Sequence, residues 1–280
     1  MTGHRYRIVD VFTSTPLEGN PLGVFLDGTD LDGSDLDTGL MQRTARELNL
    51  SETVFFLPSR AGGDARIRIF TPAGELPFAG HPVLGSAFVL ADQLKQDSVT
   101  LETGLGLIPV TVSAEFGEME QQVPVAEPYE AAADLLEALG VTGSVLPVEA
   151  YRNGPRHVYV ALASEEEVAG LKPDFTRLAE HQAGVNCFAG GGRNWKTRMF
   201  GVHHGVREDP ATGSAAGPLA VHLARHGRIG FGEQIEISQG AEIARPSKLY
   251  ARVEGTPDKI EHVHVGGSAV VVASGEYRLR

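Results

Sequence analysis

Arg68-Ile69-Phe70, followed by Glu75-Leu76-Pro77-Phe78-Ala79-Gly80-His81-Pro82, is a stretch that occurs twice in this 280-residue chain. The second copy is Arg198-Met199-Phe200, followed by Glu208-Asp209-Pro210-Ala211-Thr212-Gly213-Ser214-Ala215. Glu, Pro and Gly recur in register, and an apolar, helix-like run follows each copy. Because an internal repeat is typical of a duplicated structural unit, we predict two similar halves with a shared cleft. His81 would lie on one wall of that cleft, and Asp209 and Ser214 on the other.

Each copy ends at a predicted helix start. One helix is predicted to begin at Gly80-His81 with Pro82 in its first turn, and the other near Thr212 to Ser214. The second helix would run to Arg225 with Gly227 as its C-cap, and Pro218 is placed within roughly its first turn. Unpaired N–H groups at such helix starts favour an anion, so the pair is typical of a site for a carboxylate substrate. The alternative is that Ser214 and His81 only cap their helices.

The two copies differ where chemistry would lie. His81 corresponds to Ser214, and Leu76 corresponds to Asp209. Since leucine serves the same backbone in the first copy, folding does not require an aspartate at position 209. Asp209 is therefore a candidate functional residue.

Glu52 is a candidate for proton transfer. It precedes the apolar segment Thr53-Val54-Phe55-Phe56-Leu57, so its carboxylate is expected at the mouth of a buried strand. Burial without a cationic partner would raise its pKa toward the range useful for general acid-base catalysis. The alternative is an exposed glutamate at a strand end.

The composition limits the partners of the protein. Lys and Arg number 24 against 36 Asp and Glu, a formal charge of -12 with no basic stripe, which argues against nucleic acid or an anionic membrane. Cys187 is the single cysteine and is interpreted as a buried small hydrophobe. His203-His204 has no carboxylate at ligand spacing, so no metal site is predicted. The N-terminus lacks the pattern of a signal peptide, and a cytoplasmic location is expected.

Short β-type runs and fewer helices predict an α+β fold with two halves. Strands are predicted at 6–12, 23–26, 53–57, 65–70, 98–101, 157–162, 234–238 and 250–253. Further helices are predicted at 35–49, 131–140 and 165–171. Residues 121–128 are interpreted as the crossover, which gives an N-terminal half 1–122 and a C-terminal half 123–267. The last strand, about 268–280, is a further candidate for the N-terminal half.

Several motifs together resemble the phenazine-biosynthesis PhzF family over essentially the whole chain. They are Val9-Asp10-Val11-Phe12, Gly19-Asn20-Pro21, Asn49-Leu50-Ser51-Glu52-Thr53, Gly80-His81-Pro82, Arg152-Asn153-Gly154-Pro155-Arg156, Asp209-Pro210-Ala211-Thr212-Gly213-Ser214-Ala215 and Arg245-Pro246-Ser247. The resemblance implies a diaminopimelate-epimerase-like fold. In that fold two pseudo-symmetric halves are each a curled, barrel-like β-sheet around a central helix.

The resemblance also implies an activity, which is the isomerisation of trans-2,3-dihydro-3-hydroxyanthranilate by a proton shift from C3 to C1. The product is an enol that becomes a reactive aminoketone and feeds formation of the phenazine core. Carried over by position, Glu52 is the proton carrier, and the substrate-binding residues are His81, Asp209, Ser214, Gly80, Gly213 and Thr212. The resemblance further implies no cofactor, a homodimer, and association with other enzymes of phenazine biosynthesis.

Other functions stay open at this point. A racemase or epimerase of the same fold uses two cysteines at the paired helix starts, where this chain has His81 and Ser214. A different isomerase of the same family, acting on a small cyclic compound or an amino acid, is a second alternative. A family member without enzymatic activity, acting as an interaction protein, is a third.

Overall fold

Residues 3–30 and 33–279 are described by a computed structural model, in which the contacts divide the chain into two units. The first unit comprises Met1–Glu120 and Gly266–Arg280, and the second comprises Gln121–Val265. Among the described residues, no helix combines the length and the apolar character that crossing a bilayer requires.

The described part of the chain contains strands and helices that we number in chain order. The strands are β1 (Gly3–Val11), β2 (Asn20–Phe25), β3 (Glu52–Leu57), β4 (Ala65–Phe70), β5 (Glu75–Leu76), β6 (Ser98–Thr103), β7 (Gly106–Val112), β8 (Gly117–Gln121), β9 (Val125–Pro128), β10 (Glu149–Arg152), β11 (Arg156–Ala161), β12 (Gly184–Gly191), β13 (Asn194–Gly201), β14 (Val206–Asp209), β15 (Gln234–Gln239), β16 (Ser247–Thr256), β17 (Lys259–Gly267) and β18 (Ala269–Arg278). The α-helices are α1 (Thr38–Leu48), α2 (Gly80–Leu94), α3 (Ala132–Leu139), α4 (Glu165–Gly170), α5 (Phe175–Leu178) and α6 (Gly213–Arg225).

The two units repeat one strand order. In the first unit β1, β2, β3, β4, β6 and β7 are neighbours in that order, joined by antiparallel, parallel, antiparallel, parallel and antiparallel pairings. In the second unit β10, β11, β12, β13, β15 and β16 follow the same alternation. Strand β18 extends the first set beside β1, and β9 extends the second beside β10. The predicted α+β organisation with duplicated halves is therefore confirmed.

The Arg and Glu of the repeated motif form the same ion pair in each unit. Arg68 donates from Nε and Nη2 to the two oxygens of Glu75, at 2.7 and 2.6 Å. Arg198 makes the same two contacts with Glu208, both at 2.8 Å. Two parallel N–H···O bonds hold a carboxylate in one orientation, so each pair ties the second strand of a hairpin to the first.

The same hairpins explain why Leu76 corresponds to Asp209. Leu76 lies opposite Ile69 in the pairing of β5 with β4, and Asp209 lies opposite Met199 in the pairing of β14 with β13. The two positions are equivalent in the ladder, and the side chain there is the part that differs.

Helices α2 and α6 occupy the centre of their units. Helix α2 contacts β1, β2, β3, β6, β7 and β18, and α6 is buried from Gly213 to Ala224. The predicted starts of both helices are confirmed, since α2 begins at Gly80 and α6 at Gly213. The predicted C-cap of α6 is wrong by one residue, because His226 occupies that place and Gly227 follows it with a φ of 65°.

Most predicted elements lie within two residues of their observed ends, and β9 is a strand that the sequence pattern did not predict. Residues 121–128 contain a strand, β9, which runs antiparallel to β10. The prolines obscured it, but Pro128 ends a strand at the margin of the sheet, where a missing N–H is tolerated.

Each unit also has a cluster of apolar side chains outside its central helix. In the first unit the rings of Phe25 and Phe55 stack with centroids 4.8 Å apart, and Phe70 meets Phe55 edge-on. In the second unit the cluster includes Cys187, which is fully buried. The interpretation of Cys187 as a buried hydrophobe is confirmed, and burial raises the pKa of its thiol far above the ordinary value.

Gly85 sets how closely α2 approaches the strands. A Cβ atom at Gly85 would lie 2.7 Å from Val11 Cγ2 and 2.8 Å from Leu22 Cδ2. Both distances are far below van der Waals contact, and both partners are fully buried. Only glycine therefore allows the observed packing.

We expect Gly85→Ala to lower the free energy of unfolding by about 1–2 kcal/mol, because overpacking outweighs the gain in helix propensity. Gly170→Ala is the matched control, since nothing lies within 4 Å of the added carbon. Urea unfolding of both variants is the measurement. Equal stabilities for the two variants would show that α2 moves away from the strands without loss.

Candidate active site

Glu52 and His81 meet in the first unit. Glu52 is the first residue of β3 and His81 the second residue of α2, and Glu52 Oε2 lies 3.3 Å from His81 Nδ1. The Glu52 side chain is 15% exposed, so it is not the exposed glutamate of the alternative interpretation. Burial lowers the pKa of His81 to about 3, although a hydrogen bond with the Pro21 backbone acts against that shift. His81 is therefore a neutral imidazole, and the carboxyl group of Glu52 lies beside it.

His81 and Ser214 do not cap their helices. The N-cap of α2 is Ala79 and that of α6 is Thr212, and neither helix has a side-chain capping bond. Gly80 and Gly213 are the first helical residues, and N–H groups in a first turn have no helix carbonyl to bind. The capping alternative is wrong, and both helix starts retain donors.

Ser214 is hydrogen-bonded within a chain of three buried side chains. Ser214 Oγ lies 3.0 Å from His157 Nε2, and His157 Nδ1 lies 3.3 Å from Asn186 Nδ2. All three residues are at most 5% exposed. Burial lowers the pKa of His157 to about 3, with smaller contributions from His203 and His204.

Asp209 and Thr212 are held together by the amide of Gln239. Thr212 Oγ1 donates to Asp209 Oδ2 at 2.6 Å. The Gln239 amide donates to the Asp209 carbonyl at 2.8 Å and to Thr212 Oγ1 at 3.0 Å. Its own oxygen accepts from the Thr212 N–H at 3.3 Å. The loop before α6 is thus fixed by one side chain from the end of β15.

Pro218 lies in the second turn of α6, since the helix begins at Gly213, so the predicted position in the first turn is wrong. Proline has no N–H, which leaves the carbonyl of Ser214 without its helix donor. Asn153 Nδ2 supplies the missing bond to that carbonyl at 3.1 Å. A buried helix thereby accepts a proline because a neighbouring strand end replaces the lost hydrogen bond.

Neighbouring carbonyls of the same turn receive side-chain donors too. Gln121 Nε2 donates to the Gly213 carbonyl at 3.0 Å, and the Tyr159 hydroxyl donates to the Ala215 carbonyl at 2.7 Å. The start of α6 is therefore held in place by donors from outside the helix.

The structure groups the predicted site residues by unit. Glu52, Gly80 and His81 come together in the first unit, and Asp209, Thr212, Gly213 and Ser214 come together in the second.

Sequence reasoning missed four polar residues that support this site, namely Asn153, His157, Asn186 and Gln239. Asn153 and His157 stand near Gly154-Pro155, in a motif that resembles the family but assigns no role to either residue. Asn186 stands beside Cys187 in an apolar strand, and the apolar pattern predicts burial and not a functional residue. A polar side chain inside an apolar strand needs a partner, and that signal could have identified Asn186.

One cluster of the described residues has the composition of a metal site. Glu149, His222 and His226 bring three ligand atoms within 4.8 Å of one another. Glu149 Oε2 already accepts from the Tyr151 hydroxyl at 2.7 Å, and Arg225 Nη1 lies 3.6 Å from the same oxygen. A guanidinium beside the only anionic ligand opposes a cation, so we interpret the cluster as a hydrogen-bond network.

Comparisons with known proteins show the family of this chain. The sequence matches the family described as phenazine biosynthesis-like protein, PhzC-PhzF, over residues 9–275. It is 51% identical to trans-2,3-dihydro-3-hydroxyanthranilate isomerase of Pseudomonas aeruginosa, across 97% of this chain and 98% of that protein. A PhzF-family structure from Bacillus anthracis superposes with a TM-score of 0.86 and 25% identity, covering 99% and 100% of the two chains.

A probable proline racemase from Agrobacterium radiobacter shares the fold, with a TM-score of 0.64 and 13% identity over 99% and 93% of the two chains. The predicted fold class, of the kind found in PhzF proteins and this racemase, is confirmed by these likenesses.

We expect Asn153→Ala to lower the free energy of unfolding by about 1–3 kcal/mol, because the Ser214 carbonyl loses its donor. In a Pro218→Ala background the N–H of residue 218 can bind that carbonyl, so the loss should be smaller by about 1 kcal/mol. Denaturant unfolding of the four proteins in this cycle is the measurement. Asn153 also donates to Gln121 in both backgrounds. The difference between the two losses of stability therefore reports the hydrogen bond to the Ser214 carbonyl alone. Equal losses in the two backgrounds would contradict the compensation.

The buried neutral histidines predict a pH dependence of stability. The pKa of His157 is lowered from 6.5 to about 3, so its contribution is complete above pH 6.5 and is lost as the pH falls through about 3. The slope is at most about 1.4 kcal/mol per pH unit for each such histidine. His157→Gln should flatten the dependence of the free energy of unfolding on pH below that of the wild type, in urea unfolding from neutral to acidic pH.

His262→Gln is the control for this measurement, because His262 is exposed. It should flatten the slope less than His157→Gln does, because folding removes less water from an exposed ring. A wild-type slope in His157→Gln would mean that His157 is protonated in the folded protein.

Proposed function

Because the chain belongs to the phenazine biosynthesis-like family, we propose that it is an isomerase that converts trans-2,3-dihydro-3-hydroxyanthranilate to an enol. The enol then becomes an aminoketone, which feeds formation of the phenazine core. The observation that carries the proposal is the 51% identity, over nearly the whole chain, to a protein that bears the name of this activity. The Glu52–His81 pair supports it, because it offers a partly buried base for a proton shift.

The proposed reaction moves one proton and needs no change of oxidation state. The C3–H bond breaks and its proton passes to the Glu52 carboxylate, while the electron pair enters the ring diene and extends toward C1. The protonated Glu52 then delivers the proton to C1, which leaves a C3–C4 double bond that carries the C3 hydroxyl. That product is the enol. The negative charge is shared with the C1 carboxylate, so the substrate itself supplies the electron sink and no cofactor is required.

His81 suits this role for Glu52 because it is neutral. A cationic partner 3.3 Å away would stabilise the ionised carboxylate and weaken it as a base. A neutral imidazole can orient the carboxyl group without placing a positive charge beside it. We assign His81 to positioning Glu52 and to substrate contact.

The remaining predicted site residues are assigned to substrate binding. The first-turn N–H groups at Gly80 and Gly213 and the Ser214 hydroxyl are donors suited to the carboxylate. Asp209, held by Thr212, is an acceptor suited to the amino or hydroxyl group. Donors aimed at the carboxylate become more favourable as charge develops there, which lowers the barrier.

The thiol racemase alternative lacks its chemistry in this chain. Such an enzyme needs two reactive cysteines, whereas the single Cys187 is buried and its thiol pKa is raised. The homodimer and the association with other enzymes of phenazine biosynthesis, both implied by the family resemblance, are part of the same proposal. So is the cytoplasmic location that the N-terminal sequence predicts.

We expect Glu52→Gln to lose about a hundred- to ten-thousand-fold in turnover of trans-2,3-dihydro-3-hydroxyanthranilate while remaining folded. The amide keeps the shape of the side chain but cannot take the C3 proton. Glu47→Gln is the matched control, because Glu47 is an exposed glutamate of the same unit. Its turnover should equal that of the wild type.

The reaction is run in deuterated buffer, with product formation and deuterium at C1 followed by NMR and mass spectrometry. Undiminished turnover in Glu52→Gln would remove Glu52 as the proton carrier. A folded wild-type protein that leaves the substrate unchanged would mean that the family is right and the substrate is wrong.

A further inference from the structure

The amide of Asn186 has a defined orientation. Its Nδ2 lies 3.2 Å from the Gly184 carbonyl oxygen and 3.3 Å from His157 Nδ1. A carbonyl oxygen only accepts, so the atom beside it must be the nitrogen of the amide and not its oxygen. The NH₂ group has two hydrogens, one for each of these neighbours.

That orientation decides which nitrogen of His157 carries the proton. Because Asn186 donates to Nδ1, Nδ1 is the acceptor nitrogen of a neutral ring, and the hydrogen resides on Nε2. Nε2 lies 3.0 Å from Ser214 Oγ, so His157 donates and Ser214 accepts. The ring is neutral at ordinary pH because burial disfavours its charged form.

The packing around the ring maintains this arrangement. Gly184 lies beside His157 in the parallel pairing of β12 with β11. A Cβ at position 184 would lie 2.7 Å from His157 Nδ1, so the ring fits against this backbone only because residue 184 is glycine. The His157 ring cannot turn over without placing a carbon where Asn186 now donates.

We propose that Asn186 and His157 set the direction of the Ser214 hydrogen bond, so that the Ser214 hydroxyl is a donor to the substrate carboxylate. Ser214 accepts from His157, and its own hydrogen is therefore directed to another acceptor. The opposite tautomer would turn the Ser214 hydrogen toward His157 and present oxygen lone pairs to the anion. Asn186 and His157 are thus positioning residues, and the identity of the carboxylate rests on the proposed function.

This direction matters for the proposed reaction. Charge develops on the substrate carboxylate during the proton shift, and a donor in place there needs no reorganisation when it forms. The first-turn N–H groups of α6 are hydrogen-bond donors at the same helix start as the Ser214 hydroxyl. A serine fixed as an acceptor would work against them.

The tautomer is tested first, in the full-length protein labelled with ¹⁵N-histidine, by long-range ¹H–¹⁵N correlation NMR. We expect a single neutral His157 tautomer with hydrogen on Nε2. Asn186→Asp replaces the donor with an acceptor and should place a hydrogen on Nδ1. Hydrogen on Nδ1 in the wild type would overturn the proposal.

The consequence for binding is tested with 3-hydroxyanthranilate, an aromatic analogue that has no C3 hydrogen to move. By calorimetry, His157→Leu should weaken binding about ten- to a hundred-fold, as expected for a lost hydrogen bond to a charged group. His157→Gln, whose amide can still donate to Ser214, should retain most of the affinity. In a Ser214→Ala background, His157→Leu should change the affinity less than about three-fold.

The double-mutant cycle of His157→Leu and Ser214→Ala distinguishes a hydrogen-bond effect of His157 from a packing effect. An undiminished effect of His157→Leu in the Ser214→Ala background would show that His157 acts through packing and would overturn the proposal. If His157→Leu does not fold, the wild-type tautomer and the His157→Gln affinity still decide. The expected tautomer and binding without turnover of the dihydro compound would leave the Ser214 direction intact and reject the proposed function alone.

Discussion

The first turns of α2 and α6 are buried, so their polar groups have little access to water, and this constraint organises both units. The polar backbone groups of a buried first turn need hydrogen-bond partners, either from neighbouring elements or from a ligand. In α6, the side chains of Gln121, Asn153 and Tyr159 donate hydrogen bonds to carbonyl oxygens of the first turn. The N–H groups of that turn have no helix carbonyl to bind, so they are the donors that we assign to a ligand. The architecture that buries the start of the helix therefore also leaves N–H donors there.

The duplication explains how such a site could become asymmetric without loss of the fold. The ion pairs Arg68–Glu75 and Arg198–Glu208 hold equivalent hairpins, and both guanidinium groups lie 5.1 Å from the ring of the phenylalanine two residues on. Because these pairs secure the backbone, the residue after each glutamate is free to vary. It is an apolar leucine in one hairpin and a buried aspartate in the other.

Much of this could be predicted from the sequence because periodicity and helix-start signals are local. The starts of α2 and α6, the strand after Glu52 and the equivalence of Leu76 with Asp209 all follow from residues near one another in the chain. Pro218 was placed wrongly because its tolerance depends on Asn153, which lies on a different element. His157 and Asn186 were missed for the same reason, since their importance lies in the partners that the fold brings to them. Strand β9 was missed because pairing with β10 overrode a composition typical of a linker.

The neutrality of His81 and His157 has a consequence for how an anion reaches this protein. Both rings are uncharged near neutral pH, so the groups assigned to the carboxylate are dipoles and not cations. The chain as a whole carries a formal charge of -12, which repels an anion at long range. Dissolved salt screens that repulsion and barely weakens short contacts with buried dipoles. Ionic strength therefore speeds the encounter of this protein with its anionic ligand, the reverse of what an arginine-lined site would show.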